Sequence, residues 1–91
     1  MLKLRQIGLR DYAVLNGEQR IGRIRFADER IPGVWLWNVT VHLTGGLPIG
    51  SSKDLETAKA EFKAAWEVLK ARTTPERLAA AYRAMNIRGD G

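Results

Sequence analysis

Residues 34–43 constrain this chain more than any other stretch. The odd positions Trp35, Trp37, Val39, Val41 and Leu43 are apolar and large, and the even positions Asn38, Thr40 and His42 are polar. A period of two separates the sets onto opposite faces of a strand, because successive strand side chains point to opposite sides. One broad apolar face needs a sheet around it and a layer over it. The pattern predicts a strand over 34–43 and reads it as the central one. The preceding residues 28–33 form a loop punctuated by Pro32-Gly33.

Upstream, the β-prone Tyr12-Ala13-Val14-Leu15 meets Asn16-Gly17, a hairpin signal. The return strand covers residues 20–26, where Ile24 and Phe26 alternate with Arg23 and Arg25. The loop is either Asn16-Gly17 alone or Asn16 to Gln19. A one-residue slip swaps the faces, so register stays open, and with it the face of Arg23 and Arg25. Residues 2–6 also alternate and would add a short edge strand.

Residues 44–52 read as loop. A helix starts near Asp54, a capping residue, with Ser51 and Ser52 as earlier alternatives. Leu55, Ala58, Phe62, Ala65, Trp66 and Leu69 share one helical face, opposite Glu56, Lys59, Lys63, Glu67 and Lys70. Thr74-Pro75-Glu76 starts a second helix. Its stripe is Leu78, Ala81, Tyr82 and Met85, and it ends near Asn86.

The expectation is one α+β domain over residues 1–88, with a frayed tail at 89–91. A three-stranded antiparallel sheet, four-stranded with residues 2–6, packs on a helix, and a second C-terminal helix follows. At 91 residues with 45% hydrophobic content, the chain fits one small core and no separate substrate domain. Cysteine is absent, which removes disulfides, thiol nucleophiles and zinc knuckles together. The first residues show no apolar signal-peptide region, and the longest apolar run is Val34-Trp35-Leu36-Trp37. A membrane span needs about 20 apolar residues. The expectation is a cytoplasmic protein with no membrane partner.

The net charge of +5 favours an anionic partner. Arg20, Arg23 and Arg25 follow one another without an intervening acid. If the first helix covers one face of the sheet, Arg23 and Arg25 lie on the other with Asn38, Thr40 and His42. Guanidinium, amide and hydroxyl groups together suit phosphate and base-edge contacts. The same charges would equally serve a solvated face that resists edge-to-edge pairing. Trp35 and Trp37 are read as core against Phe62 and Trp66 rather than as a stacking platform for bases.

Enzyme chemistry finds little support. His42 is the only histidine, with no acid or cysteine at a metal-site or triad spacing. The stretch Gly50-Ser51-Ser52-Lys53 loosely resembles a phosphate loop, but Ser51 stands where that motif requires lysine. With Gly45 and Gly46 it is read as a strand-to-helix connection. Asp54, Glu56, Glu61 and Glu67 offer no acid pair in an apolar setting. No catalytic residue, cofactor or metal is assigned.

Gly22-Arg23-Ile24, Trp35-Leu36-Trp37, a glycine-containing loop and Ala58, Phe62 and Trp66 resemble a family of small uncharacterised bacterial proteins with the pattern GRI…WxW…G…A…F…W. The resemblance covers roughly residues 11–67 and implies no function. More loosely, the chain is similar to AP2-type and integrase-type DNA-binding modules, which back a three-stranded sheet with a helix. That likeness implies major-groove contacts from the open sheet face, here by Arg23, Arg25 and Asn38. The chain departs from those modules in its second helix.

The functional expectation is a non-catalytic module binding DNA or RNA through Arg20, Arg23, Arg25, Asn38 and Thr40. The alternative is a protein-interaction or self-associating module in which the second helix or a sheet edge meets the partner.

Overall fold

A computed structural model describes residues 2–29, 31–43 and 46–87. Five strands come first: β1 (Leu2–Gly8), β2 (Asp11–Asn16), β3 (Gln19–Ala27), β4 (Val34–Val39) and β5 (Ile49–Ser52). Two helices follow, α1 (Leu55–Ala71) and α2 (Pro75–Ile87). The strands pair antiparallel in the order β1-β2-β3-β4-β5. The α+β class with an antiparallel sheet and two helices therefore stands, and the strand count is five rather than three or four. The expected tail at residues 89–91 lies outside the described residues.

Three expectations about the strands are corrected. The central strand is β3, not the one starting at Val34. That strand ends at Val39, and single bonds carry the pairing one step further: Val39 N–H donates to Pro48 O at 3.0 Å and Thr40 N–H to Ile21 O of β3 at 2.9 Å. The expected loop at 44–52 contains β5, which pairs Ile49, Gly50, Ser51 and Ser52 with Asn38, Trp37, Leu36 and Trp35.

The hairpin between β2 and β3 closes through Gly17 and Glu18, with Asn16 opposite Gln19. Gly17 has φ 63, a positive value that glycine adopts without strain at the first position of a two-residue turn. Beyond the turn, Leu15 pairs with Arg20 and Val14 with Gly22, so Ile21 is the extra residue of a bulge. The bulge settles the register. Gly22, Ile24 and Phe26 point to the helix side, and Arg23 and Arg25 point away.

The core lies between the sheet and α1. Val14, Ile21, Ile24, Trp37 and Val39 pack with Ala58, Phe62, Trp66 and Leu69. Gly22 permits this approach, since a Cβ there would stand 2.4 Å from the Phe62 ring and 2.5 Å from Asn38 O. The helix starts are the expected ones. Asp54 Oδ1 accepts from Thr57 N–H at 2.8 Å, and Thr74 Oγ1 from Arg77 N–H at 3.2 Å. Helix α1 lies over β4 and β5. Leu78, Ala81, Tyr82 and Met85 of α2 pack against the margin of the core. The buried Tyr82 phenol faces Asn16, and burial raises its pKa. Among the described residues, no helix is long and apolar enough to cross a membrane.

Candidate nucleic-acid interface

The antiparallel registers line up side chains in rows across the face that α1 leaves uncovered. One row runs Arg5, Ala13, Arg23, Asn38 and Ile49, one residue from each strand. A second holds Asp11, Arg25, Leu36 and Ser51, and a third Lys3, Leu15 and Arg20. Five cations from β1 and β3 thus share one face, and Asp11 is the acid in these rows. Ala13 and Leu15 sit between them and are buried. Long basic side chains can cover such residues with their stems while keeping their charged heads in water.

Arg23 and Asp11 form the best-defined pair on this face. Arg23 Nε donates to Oδ1 at 2.8 Å and Nη2 to Oδ2 at 2.5 Å. These bonds hold the Asp11 carboxyl below its ordinary pKa, and the charges of Arg23, Arg25 and Arg20 add to the effect against partial burial. They also raise the Arg23 pKa. A guanidinium carries five N–H donors, so Arg23 keeps Nη1 for a further acceptor. Arg25 Nη1 lies 3.5 Å from Glu29 Oε1 at the end of the strand.

Arg20, Arg23, Arg25 and Asn38 come together on the face opposite α1, whose Arg20 end lies beside Met85 and Asn86 of α2. Thr40 does not join them. It lies past the end of β4, and its Oγ1 is buried with no hydrogen-bond partner among the described residues. His42 is exposed beside Leu43, Thr73 and Arg77, near α2 rather than beside Asn38. The expected polar row of Asn38, Thr40 and His42 is therefore not formed.

Sequence reasoning missed Lys3, Arg5 and Asp11 on this face. The signal for the first two was present in the alternation Leu2-Lys3-Leu4-Arg5. Leu2 and Leu4 pack against the core, which sends Lys3 and Arg5 to the other side.

The aromatic side chains are placed elsewhere. Trp37 is buried and meets Phe62 edge to face at 6.0 Å. Its Nε1 donates to Glu61 Oε1 at 2.9 Å, and Ser52 Oγ donates to the same oxygen at 3.3 Å. Trp35, half-buried against the core, meets the rings of Phe26 at 5.3 Å and Tyr12 at 6.3 Å. Phe26 carries the Arg10 guanidinium 5.2 Å from its ring centre. These rings occupy the helix side of the sheet. Among the described residues, the basic face offers charge and amide groups but no stacking platform.

Comparison with protein-family models, curated proteins and solved structures finds no match.

Proposed function

We propose that this chain is a non-catalytic nucleic-acid-binding module that uses the basic sheet face, and that its ligand is a duplex held by its backbone. The observation that carries this reading is the gathering of Lys3, Arg5, Arg20, Arg23 and Arg25 on the sheet face opposite α1, with Asp11 in their rows and Glu18 and Glu29 at its margins. Phosphate contacts from such side chains supply most sequence-independent affinity. Asn38, beside Arg23, adds an amide able to reach a base edge.

The choice of duplex follows from the aromatic residues. Binding to single strands without sequence preference usually relies on bases stacked on aromatic side chains. Here Tyr12, Phe26, Trp35 and Trp37 belong to the opposite face. The likeness to AP2-type and integrase-type modules points the same way, although those sheets have three strands. On this reading the module works in the cytoplasm.

The test is a titration of the protein with a short labelled DNA duplex and the matching single strand at low salt, followed by anisotropy. Saturable binding that favours the duplex is expected. No saturable binding to either would overturn the reading.

A further inference from the structure

The two sheet edges differ. β5 has four residues and follows Pro48, which makes it a short, blunted edge. β1 has seven residues and pairs with β2 in unbroken register from Leu2 to Gln6, before a bulge at Ile7. Its outer side meets no other strand among the described residues, so it presents a regular row of main-chain donors and acceptors. Beside this edge, on the helix side of the sheet, a groove of about 270 Å³ separates β1 from α1. Leu2, Leu4, Val14, Ile24 and Phe62 form its floor, and Lys59 and Lys63 form the rim on α1.

The geometry points to β1 and this groove as the docking site for an extended segment of another protein, in which apolar side chains alternate with acidic ones. A strand added to β1 gains main-chain hydrogen bonds, and its side chains alternate between the two faces of the sheet. Those on the helix side come beside Leu2 and Leu4, over the apolar floor. Those on the other side come beside Lys3 and Arg5, where opposite charges across a strand pair are favourable. Lys3, Arg5 and Lys63 have no ion-pair partner among the described residues, and no acid lines the groove.

A second copy of this chain is disfavoured as the occupant. Pairing β1 with itself would bring Lys3 and Arg5 of one chain beside those of the other.

The probe is a fluorescein-labelled, capped peptide alternating leucine with glutamate and matched to the seven residues of β1. A control peptide carries lysine in place of glutamate. Saturable binding of the acidic peptide is expected, with the control at least about tenfold weaker. Leu4→Asp and Lys63→Glu should each weaken binding about tenfold, as removal of a close partner does. Lys63 is exposed, so its variant should keep the fold and can be checked by circular dichroism. Amides of β1 should gain protection from hydrogen exchange on binding while those of β5 do not. Replacing Arg23 and Arg25 with alanine should leave peptide binding unchanged.

Three results would overturn the proposal. One is no binding of the acidic peptide. Another is binding that leaves β1 amides unprotected, which would mean attraction to the basic face by charge alone. The third is a dimer in sedimentation whose β1 amides are already protected without peptide.

Discussion

Arg23 on β3 grips Asp11 on β2 with two hydrogen bonds, although the residue directly across from Arg23 is Ala13. The guanidinium therefore reaches diagonally along the sheet, and Arg25, which faces Asp11 directly, is left to pair with Glu29. Asp11 thus orders the basic face and also offsets part of its charge.

Asp11→Asn should accordingly strengthen binding to a DNA duplex. The variant keeps an acceptor for Arg23 but removes the negative charge. The gain should be a few-fold, corresponding to the ~0.2–1 kcal/mol of an exposed charge pair. Titration of both proteins at the same low salt checks this, and weaker binding by Asp11→Asn would count against the face as the site.

The same pair predicts a pH dependence of stability. The Asp11 pKa is lowered in the folded protein, first by the Arg23 hydrogen bonds. A lowered carboxyl pKa adds stability above the unfolded value, and that stability is lost as pH falls through the folded value. Asp11→Asn should therefore be less stable than wild type at about pH 5–7, and the difference should close below about pH 4. It should stay under ~1 kcal/mol, because the Arg23 side chain is 42% exposed. Urea unfolding of both proteins across this range would show it.

Glu61 links α1 to β4 and β5 through one carboxylate oxygen that accepts from Trp37 Nε1 and Ser52 Oγ. Glu61→Ala should cost about 1–2 kcal/mol, since it leaves the largely buried indole N–H without its acceptor. Glu61→Gln should cost less. Equal chemical denaturation curves for Glu61→Ala and wild type would contradict this role.

Gly22→Ala should destabilise by at least about 1–3 kcal/mol, because the new methyl would collide with both the Phe62 ring and the Asn38 carbonyl. Gly8→Ala is the matched control. Its nearest neighbour would be Asp11 Cβ at an ordinary 3.6 Å, so the change should stay within about 0.5 kcal/mol. Thermal melts of the two variants should differ clearly.

Much of this architecture was legible in the chain. Asp54 and Thr74-Pro75 marked the helix starts because capping is local chemistry, and the spacing of Ala58, Phe62, Trp66 and Leu69 marked the buried helix face. β5 was not legible, because Ile49-Gly50-Ser51-Ser52 has little β propensity and no strong alternation. A reason for Gly50 there is tertiary: a Cβ at that position would stand 2.6 Å from the Trp37 indole. The register of Arg23 was open because it depends on the Ile21 bulge, which nothing in the local sequence announces. Alternation puts Arg23 and Arg25 on one face together, but sets them beside Asn38 only once the register is known. Extended past Val39, it groups Thr40 with them, but the Thr40 hydroxyl is buried rather than presented on the face. Alternation also reports which face is buried rather than a strand's place in the sheet, so the strand at Val34 was mistaken for the central one.

The most direct test of the central claim is the salt dependence of duplex binding by wild type and by Arg23→Ala/Arg25→Ala. If both guanidinium groups contact phosphates, the double variant should bind more weakly, and its slope of log K against log salt should be shallower by about 1.8. Its stability should change little, because exposed charges contribute at most ~1 kcal/mol each. Saturable binding with an unchanged affinity and slope in the stable double variant would contradict the assignment of the basic sheet face as the nucleic-acid site.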